Sequence, residues 1–355
     1  MKIGKNDILI ILPLSVLLIL GLVMVTSSSI YIADGMTSNP FHFAQRQTLF
    51  VSMGLIAMLI FLVLPSDFLY KTDWIFMLLS ILLLIILFIP DIGTSVNGSI
   101  RWIRIGPINV QPTEICKFSL ILYISGYSVR RMSEINSLRS FLKPLILLFI
   151  ISILIMGQPD LGSTAIVCML VVGILFYAGI SFSQLTLLIL LIALLGYLAI
   201  TSSPMRLARV LAFTDPFAVD VVQKAGWQLS NSLISIGQGG WLGVGLGNSF
   251  QKSFFLPEAH TDFIFAILVE ELGIIGGIFL IILFVIMLIG LMSVAFESFK
   301  KGRLFQGYTV FGIFLLISIQ TLLNIGVNIG LLPTKGLTLP FISYGGTSII
   351  IMLSL

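Results

Sequence analysis

The residues best suited to chemistry lie in one short stretch, 256–263, where a long polar segment meets an apolar helix. This stretch holds two carboxylates, Glu258 and Asp262, and also His260, one of only two histidines in the chain. A carboxylate at the end of a buried apolar helix is energetically expensive, which favours a functional role. The alternative for Asp262 is a helix cap that binds unpaired backbone N–H groups.

Three cations stand at the ends of other apolar segments. Arg101 and Arg104 alternate with Trp and Ile within 91–113, and their planar guanidinium groups suit phosphate oxygens. The alternative is an interfacial anchor, which has the same composition. Lys335 stands alone shortly before Ser343 and offers a single positive charge, unless it only reaches towards a polar interface.

Two further acidic positions also have structural alternatives. Glu114 and Lys117 are three residues apart on one face of a predicted helix, where they can form an ion pair. Burying either charge alone in a membrane would cost at least about 2.5–3.5 kcal/mol. Asp160 directly precedes another predicted helix and can cap it.

The composition predicts that these residues are positioned by membrane-spanning helices. Hydrophobic residues make up 58% of the 355 residues and charged residues only 10%, whereas a soluble domain has about 25% charged residues. We therefore expect an all-α integral membrane protein with one polytopic domain over 1–355. Cys116 and Cys168 lie in apolar segments and are predicted to be buried without a redox or metal role. The chain has a net charge of +4, but it lacks the dense basic runs of a nucleic-acid-binding protein.

Apolar runs of the length of a membrane span occur about ten times. The predicted spans are 8–32, 46–64, 74–90, 113–129, 144–157, 162–180, 184–201, 263–296, 304–330 and 344–355. Basic residues are concentrated in alternate short connections, which places both termini in the cytoplasm. A large extracytoplasmic loop, 202–262, then joins the seventh and eighth spans.

A glycine-rich run, 237–247, lies within this loop. It lacks the spacing of a dinucleotide or phosphate loop, so it is predicted to be irregular backbone that packs inside the protein or lines a cavity. Glu270 and Glu271 follow within the eighth span, where Gly273, Gly276 and Gly277 permit a bend or close packing.

The charged residues at the predicted outer face suggest one shared cavity. Cations suit a phosphate-bearing substrate, and a carboxylate suits proton abstraction from a sugar hydroxyl. The two histidines and two cysteines do not have metal-ligand spacing. The residues predicted to line the cavity are Arg101, Arg104, Asp160, Glu258, Asp262 and Lys335.

Ordered motifs along nearly the whole chain resemble those of the SEDS family (shape, elongation, division and sporulation). The matching segments are 43–47, 97–103, 111–117, 158–162, 215–216, 243–252, 256–265, 270–273 and 340–346. Segments 258–262 and 333–338 resemble the FtsW-like, cell-division branch more than the RodA-like, elongation branch. Trp227 departs from the family pattern, which commonly has Tyr there.

The resemblance implies a glycosyltransferase with ten spans that polymerises lipid II on the outer face of the bacterial cytoplasmic membrane at the division septum. The 4-hydroxyl of the incoming sugar would attack the anomeric carbon, with inversion, as undecaprenyl pyrophosphate leaves. Asp262 matches the family's essential carboxylate and is assigned as general base. Substrate-binding roles are predicted for Arg101, Arg104, Glu114, Lys117, Asp160, Glu258, His260, Lys335 and Ser343.

The family also implies partners: the growing glycan strand, membrane lipids, a class B penicillin-binding protein with transpeptidase activity, and other division proteins. No cofactor is assigned, and a requirement for a divalent cation, Mg²⁺ or Mn²⁺, stays open. The main alternative function is a lipid II flippase. A flippase needs polar groups on both sides and at mid-membrane, whereas the charged residues here are weighted outward. A scaffold that only recruits division proteins would leave the buried charges without a function.

Overall fold

Long runs of Leu, Ile and Phe form helices because a helix satisfies every backbone polar group within its own segment, as the membrane interior requires. The computed structural model describes residues 4–96, 99–106, 108–219, 221–253 and 255–355. The helices are α1 Lys5–Thr37, α2 His42–Val63, α3 Ser66–Ile86, α4 Pro112–Arg130, α5 Leu138–Met156, α6 Leu161–Tyr177, α7 Phe182–Thr201, α8 Pro204–Thr214, α9 Trp227–Gly239, α10 Ile264–Lys300, α11 Leu304–Asn328 and α12 Gly346–Ser354. A short 3₁₀ turn, Met132–Glu134, follows α4.

Ten of these helices coincide with the ten predicted spans, and the all-α membrane fold class is confirmed. Within the described residues, seven helices are both long and apolar enough to cross a membrane: α1, α2, α3, α5, α7, α10 and α11. The other three spans correspond to α4, which carries buried charges, the 17-residue α6 and the nine-residue α12. Within the predicted loop 202–262, α8 and α9 are helical rather than irregular.

The described residues cluster into two compact units. The first unit contains 1–52, 195–289 and 320–345. The second contains 53–194, 290–319 and 346–355. The predicted single domain over 1–355 and the membrane orientation stay predictions.

In the second unit, α4 packs against α3, α6 and α12 and is buried on nearly all sides. Cys116 of α4 and Cys168 of α6 are both buried with no disulfide, as predicted. Gly312 allows α11 to approach α4 closely, because an added Cβ would lie only 2.7 Å from Ile121 Cγ2. The core of this unit is therefore built around α4.

A small antiparallel sheet in the second unit was not predicted. Its strands are β1 Gly93–Val96, β2 Ser99–Ile105 and β3 Ile108–Val110, in the order β1-β2-β3. Thr94 pairs with Trp102 and Ser95 with Ile100, so the register shifts at Arg101. The Arg- and Trp-containing segment is thus an ordered β-hairpin, because β-branched and aromatic residues favour strands.

In the first unit, α10 is broken near its start by Gly273, which has φ 74° and ψ 179°. Its lost helical hydrogen bonds are replaced by the glycine-rich loop. Ile274 N donates to Gly240 O at 2.9 Å, and Val244 N donates to Glu270 O at 2.9 Å. An added Cβ on Gly273 would collide with the carbonyl of Trp241. Irregular packed backbone and a bend were each one of the alternatives predicted for these segments.

Candidate active site

The predicted catalytic stretch forms a tight loop directly before α10, in the first unit. Glu258 has a left-handed backbone with φ 57°, which turns the chain there. Its carbonyl accepts hydrogen bonds from the N–H groups of Thr261, at 3.2 Å, and Phe263, at 3.1 Å. Its carboxylate accepts from the Thr261 hydroxyl at 2.7 Å. Glu258 therefore organises the loop that presents Asp262.

Asp262 is half-buried, and its main chain is held by two asparagines of α11. Asn324 Nδ2 donates to Asp262 O at 2.9 Å, and Asn328 Nδ2 donates to the same oxygen at 3.0 Å. Asn328 Oδ1 also accepts from Ala266 N at 3.1 Å, which satisfies an N–H group in the first turn of α10. The two asparagines are one helical turn apart, so both reach the same loop.

The neighbouring carbonyls of this loop are held by the segment that precedes α12. The Ser343 hydroxyl donates to Thr261 O at 2.6 Å and accepts from Leu339 N at 2.8 Å. Tyr344 N donates to His260 O at 2.9 Å. Ser343, predicted as a substrate-binding residue, thus has a positioning role in this structure.

His260 lies in an aromatic pocket. Its ring centroid is 4.6 Å from that of Phe43 and 5.7 Å from that of Tyr344. Burial lowers the pKa of His260 below its usual value of 6.5, and the nearby Glu258 charge only partly opposes this. Its Nδ1 is buried and makes no hydrogen bond within the described part of the chain. His260 is therefore a neutral, buried imidazole near neutral pH.

The segment that carries Lys335 meets the Asp262 loop at Asn324. In addition to Asp262 O, Asn324 Nδ2 donates to Leu337 O at 2.6 Å. Lys335, two residues earlier, is half-buried. One side chain thus fixes the backbone near both the predicted base and the predicted phosphate-binding cation.

The predicted residues in the second unit form two pairs. Arg101 Nε lies 3.6 Å from Asp160 Oδ2, and Arg101 Nη2 donates to Pro159 O at 3.1 Å. Asp160 also caps α6, because it accepts from Ser163 N at 3.0 Å. Arg104 is exposed. A shared cavity that combines these residues with Asp262 and Lys335 stays a prediction.

Glu114 and Lys117 form the predicted ion pair, with 2.6 Å between Oε1 and Nζ. Their side chains are only 6% and 1% exposed. Glu114 Oε2 is buried without a hydrogen-bond partner in the described ranges. The second carboxylate oxygen is an unsatisfied acceptor, which is costly in a buried position.

The first unit also contains a buried network that the sequence analysis did not predict as part of the site. Lys252 Nζ lies 2.6 Å from Glu271 Oε1, and both side chains are at most 2% exposed. The Ser27 hydroxyl of α1 donates to Glu271 Oε1 and Oε2 at 2.6 and 2.7 Å. Ser27 and Lys252 also line a cavity of about 540 Å³ together with Leu22, Val23, Thr26, Ile30, Tyr31, Leu246 and Gly247.

Glu270, the neighbour of Glu271, supports the glycine-rich loop. Its carboxylate accepts from the hydroxyls of Ser235, at 2.5 Å, and Ser249, at 2.7 Å. It also accepts from Phe250 N at 2.7 Å. Adjacent glutamates thus have different partners, a buried cation for one and neutral donors for the other. No group of three or more His, Cys, Asp or Glu residues in the described ranges could hold a metal ion.

Comparison with known proteins gives the family. The FtsW/RodA/SpoVE family model, described as "Cell cycle protein", matches residues 7–355. The chain belongs to this family. The predicted resemblance to the SEDS family is thereby confirmed.

Curated relatives carry the name of the cell-division branch. A probable peptidoglycan glycosyltransferase FtsW of Legionella pneumophila is 44% identical over 94% of this chain and 85% of its own length. The protein of the same name from Taylorella equigenitalis is 43% identical over 94% of this chain and 92% of its own length. The FtsW-like interpretation is therefore preferred to the RodA-like one.

Solved structures have the same fold. A chain of a peptidoglycan synthase complex, from a study of how polymerization and crosslinking are coordinated, aligns with a TM-score of 0.77. It is 25% identical, and the match covers 97% of this chain and 93% of that one. The rod shape determining protein RodA of Thermus thermophilus aligns with a TM-score of 0.69 at 24% identity, over 97% of this chain and 92% of its own.

In this member of the FtsW/RodA/SpoVE family, four residues of these networks were not predicted from the sequence: Asn324, Asn328, Ser27 and Lys252. Their partners are distant in the sequence: Asn324 is 62 residues from Asp262, and Ser27 is 225 residues from Lys252. One usable signal was the pair of asparagines at i and i+4 in an apolar helix, because buried amides require partners.

Proposed function

We propose that this chain is a peptidoglycan glycosyltransferase that polymerises lipid II on the outer face of the cytoplasmic membrane during septal wall synthesis. The observation that carries the proposal is the position of Asp262. It lies at the start of α10 in a loop whose consecutive carbonyls are bonded by Tyr344 N, Ser343 and the two asparagines of α11. The name of the relatives, peptidoglycan glycosyltransferase FtsW, supports the same reaction.

In the proposed reaction, Asp262 accepts the proton of the 4-hydroxyl of one sugar. The oxygen of that hydroxyl attacks the anomeric carbon of the other substrate and forms the new glycosidic bond. The bond between that carbon and the pyrophosphate oxygen breaks, and undecaprenyl pyrophosphate leaves with the electron pair. A cation such as Lys335 would stabilise the charge that develops on the leaving group.

A class B penicillin-binding protein is the proposed partner, because a structure with the same fold belongs to a peptidoglycan synthase complex. That partner would crosslink the strands that this chain polymerises. The division septum is the proposed location, in line with the cell-division name of the relatives.

The test uses the complex purified in detergent and supplied with lipid II, with a β-lactam blocking the transpeptidase. The Asp262→Asn variant keeps the size of the side chain but cannot accept a proton. We expect polymerisation to fall by about 10²–10⁴-fold, as is typical when a general base is lost. Asp34→Asn is the matched control, since Asp34 is exposed and lies on the same predicted side of the membrane. We expect this control to retain full activity.

Two results would contradict the proposal. Near wild-type polymerisation by Asp262→Asn would show that the carboxylate only caps α10. If the intact complex makes no polymer in detergent but moves lipid II across liposome bilayers, the chain is a flippase. Circular dichroism and partner co-purification check that Asp262→Asn is folded and bound.

A further inference from the structure

We propose that a cavity between α3 and α4 binds the headgroup of an anionic membrane phospholipid. This cavity, in the second unit, has a volume of about 450 Å³. It is lined by Tyr70, Lys71, Asp73, Trp74, Tyr123 and Arg130. None of these residues is used in the proposed glycosyl transfer, so the two proposals stand independently.

The centre of the cavity is an arginine in a fixed orientation. Arg130 Nη1 lies 2.7 Å from Asp73 Oδ2, and the Asp73 side chain is only 1% exposed. The guanidinium carbon also lies 5.5 Å from the ring centroid of Tyr70 and 6.0 Å from that of Tyr123. Gly126 leaves the space for this pair, because an added Cβ would collide with Asp73 Oδ2. An arginine held in this way loses little entropy when it binds a ligand.

The same arginine keeps a surface available for a second anion. Its side chain is 38% exposed. A guanidinium carries five N–H donors, and Asp73 contacts only those on Nη1. Phosphate oxygens match the planar fork of those donors. Lys71, which is exposed, adds a second positive charge to the lining. The charges of Asp73 and Arg130 balance each other, so the additional charge of Lys71 makes the cavity lining positive overall.

The location favours a lipid as the source of the phosphate. Lys71 and Arg130 belong to two different basic connections that the charge distribution places on the cytoplasmic side, and the structure brings both into one cavity. The cytoplasmic leaflet contains anionic lipids, and basic pockets between spans on that side bind their headgroups. Trp74, 56% exposed, has the amphipathic ring typical of headgroup depth.

The side of α3 that is not covered by the rest of the protein also provides a surface for acyl chains. Lys71, Trp74, Leu78 and Leu82 are spaced three or four residues apart and so share one helix face. Leu78 is 50% exposed and Leu82 is 46% exposed, so this apolar stripe is not covered by the protein. A phosphate in the cavity would therefore be continuous with chains that lie along α3. Inorganic phosphate would use only the polar half of this surface.

The experiment measures lipid binding to the purified full chain in detergent. Phosphatidylglycerol and phosphatidylcholine with identical acyl chains are titrated separately, and bound lipid is counted by native mass spectrometry. A third titration uses inorganic phosphate, and thermal stability is followed in all three titrations. We expect phosphatidylglycerol to bind more tightly than phosphatidylcholine, with an affinity that falls as salt is added. Inorganic phosphate should give little stabilisation.

Variants then locate the binding. Lys71→Gln should weaken phosphatidylglycerol binding about fivefold, the effect of one basic residue near the membrane surface. Lys143→Gln is the matched control, because Lys143 is an exposed lysine on the same predicted side but outside the cavity. Arg130 cannot be removed alone without leaving Asp73 as an unpaired buried charge. The double variant Arg130→Gln with Asp73→Asn replaces the ion pair by two amides and should abolish the preference for phosphatidylglycerol.

Three results would overturn the proposal. Equal binding of the two lipids would mean that the headgroup charge is not recognised. Equal losses in Lys71→Gln and Lys143→Gln would mean that the attraction is spread over the whole basic surface. If inorganic phosphate protects as well as phosphatidylglycerol, the cavity is an anion site without lipid selectivity.

Discussion

The buried ion pair between Lys252 and Glu271 should contribute far more coupling energy than an exposed pair of identical chemistry in the same chain. The comparison pair is Lys301 and Glu297, which also has 2.6 Å between Nζ and Oε1. Its side chains are 55% and 50% exposed, against 2% and 0% for Lys252 and Glu271. Residue types and distance are therefore matched, and the pairs differ in burial and in the Ser27 hydroxyl that also bonds Glu271.

The expected energies follow from the surrounding dielectric. At a separation of 2.6 Å, Coulomb's law gives an attraction of roughly 6 kcal/mol at an effective dielectric constant near 20 and roughly 1.6 kcal/mol in water. Removing one partner of a buried pair costs about 3–5 kcal/mol, because the other charge stays buried and unpaired. An exposed pair four residues apart on a helix contributes only about 0.3–0.5 kcal/mol.

The assay is a double-mutant cycle on the free energy of unfolding in detergent. The buried pair is probed with Lys252→Met, Glu271→Gln and their combination. In the double variant, the amide at position 271 can still accept the hydrogen bond of Ser27, so the loss should be much smaller than the sum of the single losses. The same cycle on Lys301 and Glu297 should show little coupling. Equal coupling energies in the two cycles would refute this reasoning, since burial would then have no effect.

Two further predictions concern the backbone of α10 and the buried histidine. Gly273→Ala should lower the free energy of unfolding by at least about 1–3 kcal/mol, because its backbone region is nearly exclusive to glycine and the new Cβ meets Trp241 O. Gly237→Ala, where an added Cβ meets no atom within 4 Å, should be neutral or stabilising by up to about 1 kcal/mol, and thermal unfolding compares the two. Because the pKa of His260 is lowered in the folded state, the unfolded state binds more protons below about pH 6.5. The free energy of unfolding should therefore decrease as the pH is lowered, by at most about 1.4 kcal/mol per pH unit. His260→Gln should remove this component, and an unchanged slope between pH 5 and 7 would contradict the burial of a neutral imidazole.

Hydropathy was sufficient to predict the ten spans because each membrane helix satisfies its backbone locally. The error at the third span is informative. Its start was predicted at 74, but α3 begins at Ser66. Asp67, Lys71 and Asp73 interrupt the apolar run, and the charge of Asp73 is acceptable only because Arg130, 57 residues away, balances it. That partner is not apparent from the local sequence.

The small sheet was missed for a different reason. Arg101 and Trp102 were interpreted as an interfacial segment or a phosphate-binding site, whereas Asn97-Gly98 close to Val96 and Ile100 is a strong hairpin signal. Residues 97 and 98 themselves lie outside the described ranges. A bend at Gly273 was one of the two outcomes predicted for the glycines of this span, the other being close helix packing. The residues that supply the replacement hydrogen bonds, Gly240 and Val244, depend on long-range packing and were not predicted.

The way in which the loop before α10 is held bears on what Asp262 can do. The carbonyls of His260, Thr261 and Asp262 accept hydrogen bonds from Tyr344 N, the Ser343 hydroxyl and the two α11 amides, respectively. These bonds fix the position of Asp262 through its main chain and do not involve its carboxylate. A change from carboxylate to amide at 262 therefore leaves all of them in place. If circular dichroism and partner binding of Asp262→Asn are unchanged, loss of activity therefore reports on proton transfer rather than on loss of these backbone contacts.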